Sequence, residues 1–336
     1  GWCSSGGPNE GPLTMAELLA QANGTQVEGA PAPSIPLMET PFPSLDTLNK
    51  SCSSIPRSRD MTQAVEEGFL AIKDPLKVIL DPLTQPLSWM LDLSLDGFQA
   101  TPWFIMIPLL VVIAWFSTKK IGVTVLVALS FLFMAFIDFY DDAISTLSII
   151  FVCTIISVLL GVPIGIAMSR SDTMQRMTIP VLDMLQTLPT FVYLIPLIFL
   201  FSVTESKLYG IAIILYAIVP VIRLTDLGIR LVDKDVIEAA DAFGMSNRQK
   251  LWGVQVPLAL PNIMAGINQT IMMSLAMVVI ASLVSAPGLG VKVLAGIRNL
   301  ELGVGLVAGF SIVLLAVILD RSTKAALGRI DSSVRQ

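Results

Sequence analysis

The sequence contains no histidine and only three cysteines. Histidine is the most common general base and metal ligand, and the usual nucleophile–base triads cannot form without it. Cys3, Cys52 and Cys153 are too scattered along the chain for a zinc or iron–sulfur site. The sequence therefore predicts no catalytic residues, no metal site and no cofactor bound by this chain.

The cysteines differ in their surroundings. Cys153 lies within an apolar run, so we expect it to pack in the core. Cys3 and Cys52 share the N-terminal region and can form a disulfide if that region faces an oxidising compartment. Two free thiols are the favoured expectation.

Charge is also scarce. Charged residues make up 14% of the chain and hydrophobic residues 54%, and the mean hydropathy is +0.76. Soluble domains carry about 25% charged residues, so the sequence predicts an all-α, polytopic membrane protein. Apolar runs long enough to span a bilayer with their flanking turns occur seven times after Pro102, at about 103–116, 121–137, 143–168, 181–202, 208–224, 264–285 and 303–319.

Every second loop between these runs is basic. Lys119 and Lys120 follow the first run, Arg170 and Arg176 follow the third, and further basic residues follow the fifth and seventh. The alternate loops, at 138–142, 204–207 and 287–290, are acidic or carry little charge. The positive-inside rule places the basic loops and the C-terminus in the cytoplasm and the N-terminus outside.

Composition divides the chain into four regions. Residues 1–60 are rich in Pro, Ser and Gly and are expected to be an irregular periplasmic extension. In residues 61–100 charged residues interrupt the apolar positions, which makes the stretch too polar to span and predicts one or two amphipathic helices on the membrane surface with Trp89 at the interface. Residues 101–325 form the transmembrane domain, and 326–336 a cytoplasmic tail.

The chain shows no energy source of its own. It has no phosphate-binding Gly-x-x-x-x-Gly-Lys-Ser/Thr loop, so we do not expect it to hydrolyse ATP. Proton-coupled carriers usually bury ionisable residues in the membrane, whereas Asp183, Arg223 and Asp320 lie at the ends of the predicted spans. Sodium coupling through backbone carbonyls stays open.

One loop, residues 230–257, has the sequence pattern of two short helices with defined ends. Gly244 is expected to end a first helix in the left-handed conformation. Ser246 begins a second helix, with Gln249 placed for a capping box, and this helix is expected to end near Val256 because Pro257 disfavours helical geometry before it. The first helix has an apolar stripe made of Val236, Ile237, Ala240 and Phe243.

Two interpretations of this loop follow. A short amphipathic helix can insert its apolar stripe into a groove of a soluble partner. Alternatively, the loop is a solvated amphipathic segment, and Glu238 is a charge in water. At the level of function, a self-sufficient channel or ion-coupled carrier for a small zwitterion and a membrane-bound scaffold are the alternatives to a transporter driven by a partner.

Several motifs resemble those of a known family. Glu238-Ala239-Ala240, Gly244 and Val254-x-Val256-Pro257 resemble the EAA signature of bacterial ABC importer permeases, with Val254 and Val256 in place of Ile and Leu. The similarity is greater to the permease subunit of glycine betaine/proline betaine importers. It extends over about residues 80–325 and is carried by residues 186–196, 261–270, 277–282 and 318–321.

This resemblance implies a type I ABC importer permease fold in the bacterial inner membrane. It also implies a second permease copy, an ABC ATPase subunit that binds ATP and Mg, a periplasmic substrate-binding protein and the lipid bilayer as partners, and no nucleic acid. The residues implied to couple to the ATPase are Glu238, Ala239, Ala240, Asp241, Gly244 and Pro257.

The implied substrate is a quaternary amine osmolyte such as glycine betaine, proline betaine, choline, carnitine or trimethylamine N-oxide. Such a nitrogen cannot donate a hydrogen bond, so aromatic faces recognise it best. The candidates for the transport pathway are Thr190, Phe191 and Tyr193 in the Pro-broken fourth span, and Asn268 and Gln269 in the sixth. The alternative is that the aromatic residues pack and the amides bridge helices.

Overall fold

The structure, a computed structural model, describes residues 45–46 and 56–334; for Tyr193, Leu327 and residues 329–334 it describes the backbone alone. Within these residues every regular element is a helix, which confirms the predicted all-α fold. Most of the predicted irregular extension at 1–60, together with Cys3 and Cys52, lies outside the described residues. Cys153 is a free, fully buried thiol, as expected from its apolar surroundings.

The helices follow one another with short connections. The fifth and sixth are joined by a 3-10 turn at Thr190–Tyr193, and the ninth and tenth by a π-helical turn at Leu251–Gln255. The α-helices are α1 Ser58–Ala100, α2 Trp103–Thr118, α3 Ile121–Phe136, α4 Tyr140–Arg170, α5 Asp172–Thr187, α6 Leu194–Leu200, α7 Ser206–Arg230, α8 Lys234–Ala242, α9 Asn247–Lys250, α10 Val256–Ala281, α11 Leu289–Arg298 and α12 Leu302–Val334.

Four helical stretches are individually long and apolar enough to cross a membrane: α4, α7, Asn247–Val284 and Leu302–Ala326. Two further spans result if bent pairs are counted, α1 with α2 at 110° and α5 with Thr190–Leu200 at 100°. α3 is apolar but has 16 residues. The seven predicted apolar runs therefore all fall on helices. The first and the fourth run belong to bent pairs of helices, because a run of apolar residues does not indicate the angle between consecutive helices.

The chain divides into two compact units, Gly1–Leu76 and Lys77–Gln336. In the first unit, Asp46 accepts hydrogen bonds from the backbone N–H and the hydroxyl of Ser58, both at 3.0 Å. This carboxylate therefore satisfies donors at the N-terminus of α1, where helices leave their first N–H groups unpaired.

In the second unit, α7 packs extensively against both α4 and α10. Small residues allow the close approach. A Cβ added at Gly165 of α4 would lie 2.6 Å from Thr225 Cβ and 2.7 Å from Ile222 O, and one at Gly266 of α10 would lie 3.0 Å from Val221 Cα. Such backbone-to-backbone contact is typical of packing between membrane helices.

The part of α1 from Lys77 onward belongs to one continuous helix, where one or two helices were expected. Its inner face is held by polar contacts: Ser94 and Ser148 hydroxyls lie 2.7 Å apart, and Gln99 donates to Ser145 at 2.9 Å. Leu91 is fully buried between these contacts and α7, whereas Trp89 is exposed. The position of this face at a membrane surface stays a prediction.

Candidate functional site

The C-terminus of α8 is closed by hydrogen bonds between near neighbours. Gly244 has a φ of +72°, the left-handed geometry that glycine adopts without steric cost. Its N–H donates to Asp241 O at 2.9 Å, and the Met245 N–H donates to Ala240 O at 3.1 Å. This pair of bonds is the Schellman motif, so the predicted helix stop is confirmed.

The start of α9 is capped in a complementary way. The Ser246 hydroxyl accepts from the Gln249 N–H at 3.4 Å, and the Gln249 side chain accepts from the Ser246 N–H at 2.9 Å. This confirms the predicted capping box. Lys250 then donates to Asp241 at 2.6 Å, which links α9 to α8. The two short helices therefore form one connected unit.

The prediction that the second helix ends near Val256 is wrong. The helix continues without a break as Asn247–Val284, 38 residues in all. At the π-helical turn the Val256 N–H donates to Leu251 O, five residues earlier. The wider turn accommodates Pro257, whose ring lacks an N–H and would collide with the carbonyl four residues before it in a regular α-helix. Pro257 therefore lies inside this continuous helix, directly after the π-helical turn.

The apolar stripe of α8 is divided between two environments. Ala240 is buried, with 5% of its surface exposed, and Ile237 is half-buried. Phe243, which directly follows α8, is 86% exposed. Glu238 and Ala239 are also exposed. The buried part attaches α8 to its own chain, and the exposed part is available for contact with another molecule.

A network of charged and polar groups lies at the base of this loop. Arg230, the last residue of α7, donates to Asp226 at 3.0 Å, to Asp172 at 2.8 Å and to the Met168 carbonyl at 2.9 Å. The buried Asp226 carboxylate also accepts from Gln175 at 2.7 Å. The network therefore connects the end of α4, the start of α5 and the end of α7.

The sequence did not predict this network. The spacing of Asp226 and Arg230, four residues apart on one helix, is typical of an intrahelical ion pair and could have identified half of it. The contacts with Gln175, Asp172 and Met168 join residues 51, 58 and 62 positions apart, and no local pattern indicates them.

The candidate pathway residues occupy two elements that touch. Thr190, Phe191 and Tyr193 form the 3-10 turn after Pro189, and this turn contacts α10. Phe191 is exposed and Thr190 half-buried. The Gln186 side chain, just before the turn, lies 3.9 Å from the Met273 sulfur of α10. The broken span and α10 are therefore neighbours, as a shared pathway requires.

The two amide candidates differ. Gln269 is exposed, whereas Asn268 donates to Asp320 of α12 at 3.1 Å. Asp320 also accepts from Lys324 at 2.9 Å. The bond from Asn268 connects α10 to α12, which is the helix-bridging alternative for this residue. A pathway role for either amide stays a prediction.

Ionisable side chains in the described part of the chain do not form a metal site. No group of three or more histidine, cysteine, aspartate or glutamate residues is placed to hold a metal ion there. The charged residues instead form ion pairs between helices, including Asp183 of α5 with Arg223 of α7 and Asp81 of α1 with the buried Lys207 of α7.

Three sequence relatives carry names of transport permeases. The chain is 44% identical over 211 residues to the glycine betaine transport system permease protein OpuAB of Bacillus subtilis, covering 62% of this chain and 73% of OpuAB. It is 39% identical to the glycine betaine/carnitine transport permease protein GbuB of Listeria monocytogenes, over 77% of this chain and 89% of GbuB. The glycine betaine/proline betaine permease protein ProW of Escherichia coli is 41% identical over 73% of this chain and 70% of its own length.

A solved structure supports the fold. A chain from an inward-facing structure of the MetNI methionine ABC transporter superposes with a TM-score of 0.50 and 20% identity, covering 59% of this chain and 96% of that one. The family described as binding-protein-dependent transport system inner membrane component matches residues 157–335, more than half of the sequence. These residues contain the 230–257 loop, the bent α5–α6 segment and α10. The chain therefore belongs to the family of inner membrane components of binding-protein-dependent transport systems.

Proposed function

We propose that this chain is the permease subunit of an ATP-driven importer for a quaternary amine osmolyte. A periplasmic binding protein delivers the substrate, a separate ATPase subunit binds ATP and Mg, and two copies of the permease enclose the pathway. The observation that carries the proposal is the connected α8–α9 unit, which presents an exposed phenylalanine between two membrane-spanning helices. The names of relatives that transport glycine betaine, carnitine or trimethylamine N-oxide support the substrate class.

The exposed face of α8 fits a groove on the ATPase. Glu238, Ala239 and Phe243 are accessible, while Ala240 is buried against its own chain and the Schellman turn at Gly244 closes the C-terminus of the helix. Burial of a phenylalanine side chain contributes about 2 kcal/mol, which makes Phe243 the natural anchor of such a contact. Glu238 would then face polar or basic groups at the rim of the groove.

Movement of α8 can reach two spanning helices. On one side, Asp233 caps α8 three residues after Arg230, whose network holds the end of α7. On the other side, the Lys250–Asp241 bond links α8 to α9, which is continuous with α10. Since α7 and α10 also pack closely, they would move together as a rigid body. ATP can drive this movement only through different affinities of the ATPase for the two states.

The substrate pathway is proposed to follow the bent α5–α6 segment and α10. Phe191 presents an exposed aromatic ring at the bend, suited to a quaternary ammonium. Tyr193 belongs to the same turn, and Gln269 is exposed on the neighbouring α10. High affinity is left to the binding protein, so the permease needs only weak contacts along the route.

Loop charges support the orientation. The 230–257 loop contains Arg248 and Lys250, while Arg170 ends α4 and Arg176 lies near the start of α5. The positive-inside rule therefore favours a cytoplasmic 230–257 loop, where an ATPase can reach it, with the C-terminus on the same side and the N-terminus in the periplasm.

Reconstitution in proteoliposomes tests the proposal. Uptake of radiolabelled glycine betaine is expected to need the permease, the ATPase, the binding protein and ATP together. Uptake by the permease alone would establish a self-sufficient channel or carrier instead. Complete complexes in which the binding protein fails to stimulate ATP hydrolysis would favour a scaffold without a transport role.

A further inference from the structure

An exposed ion pair joins two helices of the bundle and takes no part in the proposed coupling to the ATPase. Asp183 of α5 bonds to Arg223 of α7, and their side chains are 54% and 39% exposed. Arg223 lies seven residues before the end of α7, about 10 Å inside the helix. Charged groups on membrane-spanning helices are costly where they meet lipid, and they usually face a water-filled cavity or another protein. This pair therefore favours a surface that water or substrate can reach.

The pair lies where three helices meet. Leu182 and Ile222, the neighbours of Asp183 and Arg223, pack in one apolar cluster together with Ile267 of α10. The cluster fixes the two helices that carry the charges. The same α5 continues to the bend with the 3-10 turn, and the same α10 carries exposed Gln269 two residues after Ile267. The charges thus belong to the elements of the proposed pathway.

The guanidinium of Arg223 is not saturated by the chain. Its Nη2 bonds to Asp183, but the buried Nε has no hydrogen-bond partner within the described residues. By contrast, Arg230 uses all three of its nitrogens in bonds to Asp226, Asp172 and Met168. The two arginines of α7 therefore differ: one is fixed by the fold and the other retains bonding capacity.

We infer that Asp183 and Arg223 form a transient binding site for a zwitterion that carries a carboxylate and a quaternary ammonium. The carboxylate accepts hydrogen bonds from Arg223, whose planar fork suits it, and the ammonium lies beside Asp183. This inference rests on the proposed function and names the substrate chemistry of its pathway. No covalent step is involved.

Charge balance explains why a zwitterion fits. It replaces one ion pair with two and leaves the site neutral, so neither Arg223 nor Asp183 loses its counter-charge. A cation without a carboxylate, such as choline, would leave Arg223 unpaired and add a positive charge. A partly exposed ion pair contributes little stability, so the substrate can open it and then be released.

Binding is tested on the permease–ATPase complex in lipid nanodiscs, without the binding protein. Saturation-transfer NMR on the methyl protons of glycine betaine is expected to show contact in the wild type and a weaker signal for choline. Arg223→Gln and Asp183→Asn should lower the betaine signal about ten-fold, the equivalent of one lost charge-assisted contact. Arg176→Gln removes an exposed arginine from the same α5 and should leave the signal unchanged.

Uptake by the complete importer distinguishes a failure of the proposed binding site from a failure of the proposed function. If the wild type transports and both variants keep its rate and its betaine signal, the binding site is refuted and the proposed function stands. If the wild type shows no ATP-driven uptake, the proposed function itself fails. Should both variants fail to assemble, Arg223→Lys decides, because it keeps the charge but loses the fork: an unchanged preference for glycine betaine over choline overturns the inference.

Discussion

The 230–257 loop and the junction of α4, α7 and α10 are built from different kinds of contact. In the loop, the Schellman turn and the capping box join residues at most five positions apart. At the junction, Gly165 and Gly266 bring together segments that are distant in the sequence. The loop can therefore keep its shape while its partner changes, whereas the junction depends on the whole bundle. Mutations in the two regions should separate loss of coupling from loss of fold.

The largest effect is expected at the junction. Gly165→Leu would place side-chain atoms where Thr225 Cβ and Ile222 O lie within 2.7 Å of a Cβ, and overpacking of this kind costs about 3 kcal/mol. Fluorescence-detected size-exclusion chromatography after heating should show a lower melting temperature and loss of monodisperse protein. Gly309→Leu on α12, where no neighbour lies within 4 Å, is the matched control. Equal stability of the two variants would contradict this account of the packing.

Mutations in the 230–257 loop should have the opposite effect: the fold is retained, and the coupling of ATP hydrolysis to uptake is lost. Gly244→Pro cannot adopt the positive φ of this position, and Glu238→Lys reverses a charge on the exposed face of α8. Both variants should insert and purify normally, yet ATP hydrolysis by the assembled importer should no longer drive uptake. Glu66→Lys, a charge reversal on exposed α1, should transport normally. Normal uptake by both loop variants would exclude the docking role.

A mutation in the Arg230 network at the base of the loop should weaken both the stability of the fold and the coupling of ATP hydrolysis to uptake. Asp226→Asn keeps the shape of the side chain but removes the charge that faces Arg230, and loss of a hydrogen bond to a charged group costs about 2 kcal/mol. We expect a moderate fall in melting temperature and more ATP hydrolysed per molecule imported. Asp96→Asn on α1, exposed and outside the network, serves as the control. A normal ratio of ATP to substrate would show that the network only stabilises the fold.

The smallest effect is expected at the helix cap. Ser246→Ala removes the hydroxyl that accepts from the Gln249 N–H, and loss of an N-cap of this kind costs about 1 kcal/mol. The cost should be confined to the start of α9. Hydrogen exchange should therefore accelerate at residues 247–250 and stay unchanged in α7. Acceleration that extends into α7 would show that the loop does not fold as a local unit.

The same contrast explains how much the sequence could predict. The helical class, the stop at Gly244 and the capping box of Ser246 and Gln249 follow from residue type and close spacing, and the structure has them. The bonds from Arg230 to Asp172 and Met168, the Asp183–Arg223 pair and the bond from Asn268 to Asp320 join positions 40 or more residues apart. Their partners are set by how helices pack, which periodicity along one helix does not encode.

Pro257 shows a different limit. The rule that proline disfavours helical geometry before it is sound for a regular α-helix. Here the chain changes the helix instead of ending it, through the π-helical turn at Leu251–Gln255. No residue type in that segment marks such a turn, so the error could be corrected only by the backbone itself.

The π-helical turn at Leu251–Gln255 also determines how far α9 is rotated about the helix axis relative to α10. A π-helical turn holds one more residue than a regular turn, and one residue corresponds to about 100° around a helix axis. The faces of α9 and α10 are therefore offset by that angle relative to an uninterrupted helix. Removal of a single residue from Leu251–Gln255 would turn Lys250 away from Asp241 while every side chain of α10 kept its place. The direction in which the short helices point is thus tuned independently of the packing in the membrane.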